Sequence, residues 1–318
     1  MTRCLLALAL AGCGEVAVKV DAAMPDDAAI DASPDAAGPS GPFLAIGNFA
    51  TSSVTFYAPT DSGNIAPHHV LAGAATLLAT PKLAAAGGEL FATGGTRVTV
   101  YPATASGDVA PTRTIMGAAT GLAGLTAIAV SANELFVVSG GASPSIRVFA
   151  ADANGDVAPT RIIAGSNTAL SSPLGIAVFG GEIFIANNGS STVTVYPVGG
   201  TGNIAPLRSL SGMLLVRPSG IDVAGNELLV EGTDYVQVYA RTASGTAVLP
   251  TRSITGPATG LDFSFDIFVH NGEIFTHHRN NNAVLVYPLS GNGDITPSRT
   301  ISGAATMLNS PQSCVVIP

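Results

Sequence analysis

From Phe43 onward the chain is built of short apolar runs separated by two-residue turns. In the stretch that starts at Pro173, Leu174-Gly-Ile-Ala-Val178 is an apolar run, Gly180-Gly181 a turn, and Glu182-Ile-Phe-Ile-Ala186 a second run. Thr192-Val-Thr-Val-Tyr196 then alternates polar and apolar, and Arg208-Ser-Leu-Ser-Gly212 follows a Gly-rich turn. Each piece is too short for a helix, and a period of two is that of a strand whose two faces are covered differently. The turn positions in other stretches hold Gly87-Gly88, Ala132-Asn133, Gly225-Asn226 and Asn271-Gly272. Such pairs favour the positive φ of tight hairpins, so the pattern predicts a four-stranded antiparallel meander.

The meander repeats. Gly-Asn/Asp-Ile/Val-Ala/Thr-Pro ends at Pro67, Pro111, Pro159, Pro206 and Pro297, with a looser copy, Gly245-Thr-Ala-Val-Leu-Pro250, between the last two. A period of 44 to 48 residues means a solenoid, an array or a propeller. One small meander cannot bury its own apolar faces, and six packed around an axis can. The expected fold is therefore all-β: a six-bladed β-propeller of four-stranded antiparallel blades. Phe43-Leu-Ala-Ile-Gly47 matches a second strand and Pro311-Gln-Ser-Cys-Val-Val-Ile317 a first strand, so the C-terminal strand is expected to close the ring.

The unit Pro173-Leu-Gly-Ile-Ala-Val, Gly181-Glu-Ile-Phe-Ile-Ala-Asn187 and Val193-Thr-Val-Tyr196 resembles that of NHL-repeat and gluconolactonase/regucalcin-like propellers. The resemblance spans all six repeats and consists mostly of core and turn residues. The Gly175 position departs from the pattern, holding Leu83, Ala127, Gly220, Asp266 and Ser313 in the other copies.

Composition narrows the partners. Only 11% of the residues are charged, the net charge is -8, and Lys19 and Lys82 are the only lysines, so no basic patch for nucleic acid is available. The opening segment is different in kind. Met-Thr-Arg precedes the apolar run Cys4 to Ala11, too short to span a bilayer, and residues 1–12 read as a secretory signal. Leu10-Ala11-Gly12-Cys13 resembles the lipobox of bacterial lipoproteins, which implies an acylated Cys13 at the start of the mature chain. Residues 13–42 then read as a disordered Asp/Ala/Pro tether, and 43–318 as the propeller. Acyl chains such as palmitate anchor firmly only in combination. The expected location is the cell envelope, with Gly14 pointing to the outer membrane where a cell has two. Cys314 is left as the one thiol, so no internal disulfide is expected.

Residues shared by all copies read as architecture. Tyr57, Tyr101, Phe149, Tyr196, Tyr239 and Tyr287 end the third strands and are expected between blades. Arg113, Arg161, Arg208, Arg252 and Arg299, with His69 in the first copy, open the fourth strands, where charge discourages edge-to-edge pairing. Asp152-Ala-Asn-Gly-Asp156 faintly resembles a calcium loop without its distal Glu. Chemistry is expected where copies differ. The Ala186-Asn187 position reads Ile46-Gly47, Thr93-Gly94, Val138-Ser139, Glu231-Gly232 and His277-His278 elsewhere. Asn187, Glu231, Asp266, His277 and His278 are the candidates for binding a polar ligand or a divalent cation at the channel mouth. Consecutive strand residues face opposite ways, so His277 and His278 are not expected on one ion. The family resemblance implies a metal-dependent lactonase as the alternative activity, but Gly, Thr, Ser, Ile and Val fill most of its ligand positions. No catalytic residue, cofactor or phosphate loop is recognisable in the chain. A binding or scaffold domain for envelope protein or glycan partners is the reading that remains.

Overall fold

The computed structural model describes residues 41–317. Signal segment, Cys13 and nearly all of the tether lie outside them. The described residues form six four-stranded sheets, each antiparallel and in sequence order from the inner strand outward. The inner strands are Leu83–Ala86, Leu125–Ser131, Pro173–Phe179, Gly220–Ala224 and Ser264–His270 in blades 2 to 6. Blade 1 takes its inner strand from the other end of the chain: Pro311–Ile317 pairs with Phe43–Asn48, with Ala45 opposite Val315. The ring is thus closed by the C-terminal strand, as expected.

Hairpin chemistry sits where the sequence places it. Both turn residues have positive φ at Gly87-Gly88, Ala132-Asn133, Gly180-Gly181 and Asn271-Gly272. The apolar residues divide into six clusters, each shared between two consecutive blades. Tyr101, for example, packs with Phe56 and Leu71 of the blade before it, and all six aromatic residues of this series are buried. Their hydroxyls do further work. Tyr57, Tyr101, Tyr196 and Tyr287 donate to the carbonyls of Thr306, Thr76, Thr168 and Thr259, in the turns that lead from one blade to the next.

The recurring arginines correct the edge-charge expectation. Arg161 on an outer strand donates to both oxygens of Glu134 at 2.5 and 2.9 Å, and its second nitrogen also reaches the Val198 carbonyl of the next blade at 2.9 Å. Arg113, Arg208, Arg252 and Arg299 repeat this with Glu89, Glu182, Glu227 and Glu273. A guanidinium fork matches a carboxylate in two parallel bonds, so the charges tie strands and neighbouring blades together while staying partly exposed. Blade 1 replaces both partners at once: Phe43 stands in the Glu position and His69 stacks on Phe56 at 4.0 Å.

The Gly-Asp/Asn marker is a clasp between blades. Its glycine bridges the outer strand of the preceding blade, as Gly107 does to Leu71 and Gly155 to Ile115, covering an edge that would otherwise be open. The acidic or amide side chain next to it accepts from a backbone N–H in the following short turn, as Asp156 does from Ala119 at 2.7 Å. That turn is a single 3-10 turn in four places, an element the sequence pattern does not announce. It also accounts for the calcium-loop likeness of Asp152 to Asp156, whose last carboxylate is engaged in the clasp. Among the described residues no helix is long and apolar enough to cross a membrane.

One junction keeps only the glycine half of the clasp, the bridge of Gly245 to Leu210. Between blades 4 and 5, Ser211 to Pro218 has no 3-10 turn, and the marker there reads Gly245-Thr-Ala-Val. Gln237 holds this loop through the Leu214 carbonyl at 2.6 Å, and Tyr235 through the Val216 carbonyl at 2.7 Å. Tyr239 donates to Gln237 at 2.5 Å instead of to a turn carbonyl.

Candidate functional site: the polar end of the central channel

The inner strands start at the same end of the ring at which the second strands finish, and strand register there decides which side chains meet. Pairing sets Gly220 opposite Glu231, Gly175 opposite Ala186, Ala127 opposite Val138 and Ser313 opposite Gly47. In blade 2 the partner of Thr93 is Lys82, whose carbonyl accepts from Thr93 N at 2.9 Å. The Gly175 position is therefore held by Lys82, not Leu83 as the Pro-x-Gly spacing suggests. Blade 2 lacks the bulge that most blades carry here, so its Pro81 lies one residue nearer the ring. Lys82, Ala127, Gly175, Gly220, Asp266 and Ser313 make one inner ring.

The same register corrects blade 1 of the outer comparison. Leu44 pairs as Ile183 does, so Gly47-Asn48 and not Ile46-Gly47 matches Ala186-Asn187. Asn48 and Asn187 then prove to be equivalent latches: Asn187 accepts from Ser171 N at 3.0 Å and donates to Thr194 Oγ1 at 2.9 Å, and Asn48 treats Asn309 and Thr55 alike. His278 takes the same post, its Nδ1 lying against the Asp262 backbone at 2.9 Å from O and 3.1 Å from N and its Nε2 facing the Thr276 hydroxyl at 2.8 Å. Asn187 and His278 thus turn toward their own blades, each tying down the loop before an inner strand.

Glu231, Asp266 and His277 do come together, and Lys82 joins them. Lys82 Nζ donates to the carbonyls of Gln312 at 2.7 Å and Phe265 at 3.2 Å. Burial pulls this ammonium below its usual range, while the Asp266 and Glu231 carboxylates oppose that. Burial raises the Asp266 carboxyl, and Glu231 is raised further, to well above the usual carboxylate range. Glu231 is fully buried with Ser264 beside it, yet neither of its oxygens meets hydrogen-bond geometry. His277 donates from Nδ1 to the Asp266 carbonyl at 2.8 Å, and burial pushes it down to about 3, so the ring is neutral.

One step farther along the channel the aligned positions are Ala84, Ala129, Ala177, Asp222, Phe268 and Val315. Asp222 escapes the sequence comparison because it lies inside an apolar inner strand, where a lone carboxylate breaks the pattern without making a motif. Its oxygens accept from Val269 N of the next blade and from Val223 N, both at 2.7 Å. Burial raises its carboxyl to about 7. Alanines face it across a cavity of about 200 Å³ that also touches Cys314. Burial lifts that thiol well above its ordinary range, which leaves it uncharged and unreactive.

A divalent ion of the kind implied by the family resemblance needs several open lone pairs on one point. Among the described residues no three His, Cys, Asp or Glu side chains gather in that way. The Lys82 ammonium acts on Asp266 and Glu231 by charge, while its own bonds go to two backbone carbonyls. These residues do not fit a divalent centre.

Comparison with known proteins adds the fold. No family model and no curated relative matches the chain. A functionally unknown protein from Desulfotomaculum acetoxidans DSM 771 aligns over 86% of this chain and 98% of its own, with a TM-score of 0.58 and 10% identity. The WD40 β-propeller domain of Doa1 aligns over 82% of this chain and 79% of its own, with a TM-score of 0.54 and 12% identity. At such identities the likeness is one of architecture: this chain is a β-propeller.

Proposed function

We propose that the chain is a lipid-anchored envelope protein whose propeller is a nonenzymatic scaffold for a protein partner. The observation that carries the binding role is the junction between blades 4 and 5, which keeps the glycine bridge but lacks the side-chain half of the clasp. Its backbone is pinned by Gln237 and Tyr235, while Met213, Leu214 and Val216 project to solvent, Met213 with 92% of its surface open. Leu249, in the altered marker beside it, is 70% exposed. Ordered backbone under exposed apolar side chains is costly in water and suits a partner that covers it, and methionine adapts to varied apolar surfaces. The anchor reading rests on Leu10-Ala11-Gly12-Cys13 behind an apolar run. The resemblance to NHL-repeat and gluconolactonase-like propellers belongs to this reading as a relation of repeat units. Lactone hydrolysis has nothing to support it at the channel, where among the described residues no three ligating side chains gather.

A photo-crosslinking residue at Met213, compared with one at the exposed Ile162 on blade 3, tests the partner surface in cells. A discrete protein adduct at Met213 alone is expected; adducts at both sites or at neither sink the idea. Cys13→Ser should move the protein from the membrane fraction to the soluble one, and retention on the membrane removes the anchor from the reading.

A further inference from the structure

The bulges on the inner strands aim four side chains into the mouth of the channel. Register slips by one residue at Thr126, Leu174, Gln312 and at Phe265-Asp266, and an extra residue in a strand re-directs its side chain. Thr126, Leu174, Phe265 and Gln312 all line one cavity of about 180 Å³, with Lys82 at its edge. By liquid volume that is room for about six waters.

The residue that follows the latch completes the wall in two blades, as Phe49 and Arg279. At that position the blades carry Phe49, Gly95, Gly140, Asn188, Thr233 and Arg279. The neighbouring blades 1 and 6 thus supply an aromatic ring and a cation, while two of the others supply glycine. The Arg279 guanidinium lies 4.1 Å from the centre of the Phe49 ring and 4.7 Å from that of Phe265. Phe263 packs edge-on against Phe265 at 5.2 Å and steadies it. A guanidinium held against two rings keeps its plane and leaves its N–H edge free.

Arg279 differs from the arginines of the repeat. Arg113, Arg161, Arg208, Arg252 and Arg299 each have a glutamate, whereas among the described residues no carboxylate pairs with Arg279, and burial alone acts on its charge. Lys82 nearby gives its Nζ bonds to two carbonyls, and among the described residues no ion pair joins Arg279 to any carboxylate. The guanidinium N–H groups stay open to solvent, where an anion from outside can replace water.

We propose that this mouth pocket binds a small organic carboxylate, with Arg279 taking the carboxylate in a two-bond fork and Leu174 and Phe265 covering its apolar body. Gln312 and Thr126 also line the pocket, their side chains bonded to the Pro81 and Val138 carbonyls. The carboxylate is either that of a free organic acid or one carried on an acidic glycan chain. The site rests on the reading of the propeller as a binding domain, but it is independent of the Met213 surface and of Cys13.

The test uses the full chain carrying Cys13→Ser, titrated by calorimetry with benzoate, with its uncharged analogue benzamide, and with an oligogalacturonate. Benzoate or oligogalacturonate is expected to bind with a Kd of about 1 mM or tighter, and whichever binds better identifies the source. Benzamide should bind at least about tenfold more weakly than benzoate, because it cannot accept the charged fork. Arg279→Gln should lose about tenfold or more, and Arg279→Lys, which keeps the charge but not the fork, should fall between. Equal binding of benzoate and benzamide to the unsubstituted chain overturns the proposal without reliance on any variant. So does failure of both anions to bind at millimolar concentration, or unchanged binding in an Arg279→Gln protein that melts as the parent does. Were the pocket to fail while Met213 still crosslinks, the scaffold reading would stand and only the ligand site would fall.

Discussion

Asp222 and His277 titrate in opposite senses, and burial causes both shifts. The folded Asp222 carboxyl keeps its proton up to about 7, whereas an unfolded aspartate releases it near ~3.9. Between those values the folded state holds more protons, so this residue's contribution to stability falls as pH rises and levels off above about 7. His277 works the other way. Its folded pKa of about 3 lies below the ~6.5 of the unfolded imidazole, so its contribution is complete above the upper value and is lost as pH falls toward the lower. The windows overlap, and single substitutions separate them. Urea unfolding from pH 4 to pH 8 should show that the stability advantage of the parent over Asp222→Asn shrinks as pH rises and is constant above about 7; parallel curves would mean that Asp222 is ionised throughout. Neither shift was legible in the residue types. Asp222 stands in an ordinary strand pattern, and His277 is set apart from His278 only by the face it turns to.

At the scale of the element, the inter-blade clasp relates a visible marker to an invisible partner. Gly117 has φ of 128°, and a Cβ there would fall inside the Asp156 side chain. Gly73, Gly165, Gly256 and Gly303 meet Asp108, Asn203, Asp294 and Asn64 in the same way. Gly117→Ala should therefore cost about 2–3 kcal/mol in denaturant unfolding, from strained backbone plus the displaced carboxylate. The double variant Gly117→Ala, Asp156→Gly should recover part of that loss. A neutral Gly117→Ala would show that the approach is looser than the structure has it. The marker's period could be read directly, and so could its turn. Its service to the blade before it could not, because the bonds join residues 33 to 37 positions apart around Gly73 and Gly117 and in the remaining copies, with one pair spanning the closure.

For the whole molecule, closure by Pro311–Ile317 carries both stability and site. That strand supplies the inner wall of blade 1, places Ser313 between Asp266 and Lys82, and brings Gln312 to the mouth. Removing residues 311–318 should open the ring and broaden or abolish the cooperative melting transition, measured by calorimetry. A truncated chain that kept the parent melting temperature would argue that the remaining sheets close without it.

The sequence by itself determined the number of blades, the order of strands within each and the strand that closes the ring. Those features depend on local alternation, turn chemistry and a repeat period, all written within one unit. Tertiary structure alone decided the site. A one-residue difference in bulging put Lys82 rather than Leu83 in the inner ring, and spacing from proline cannot register a bulge; Phe43 in the Glu position put Asn48 rather than Gly47 in the latch. The arginines' edge positions were visible, but their glutamates sit 24 to 27 residues away across the sheet. Lys82 reaches the Phe265 carbonyl across 183 residues of chain because the ring sets blades 6, 1 and 2 side by side. Which polar side chains share a cavity is a property of that closure, and no single repeat contains it.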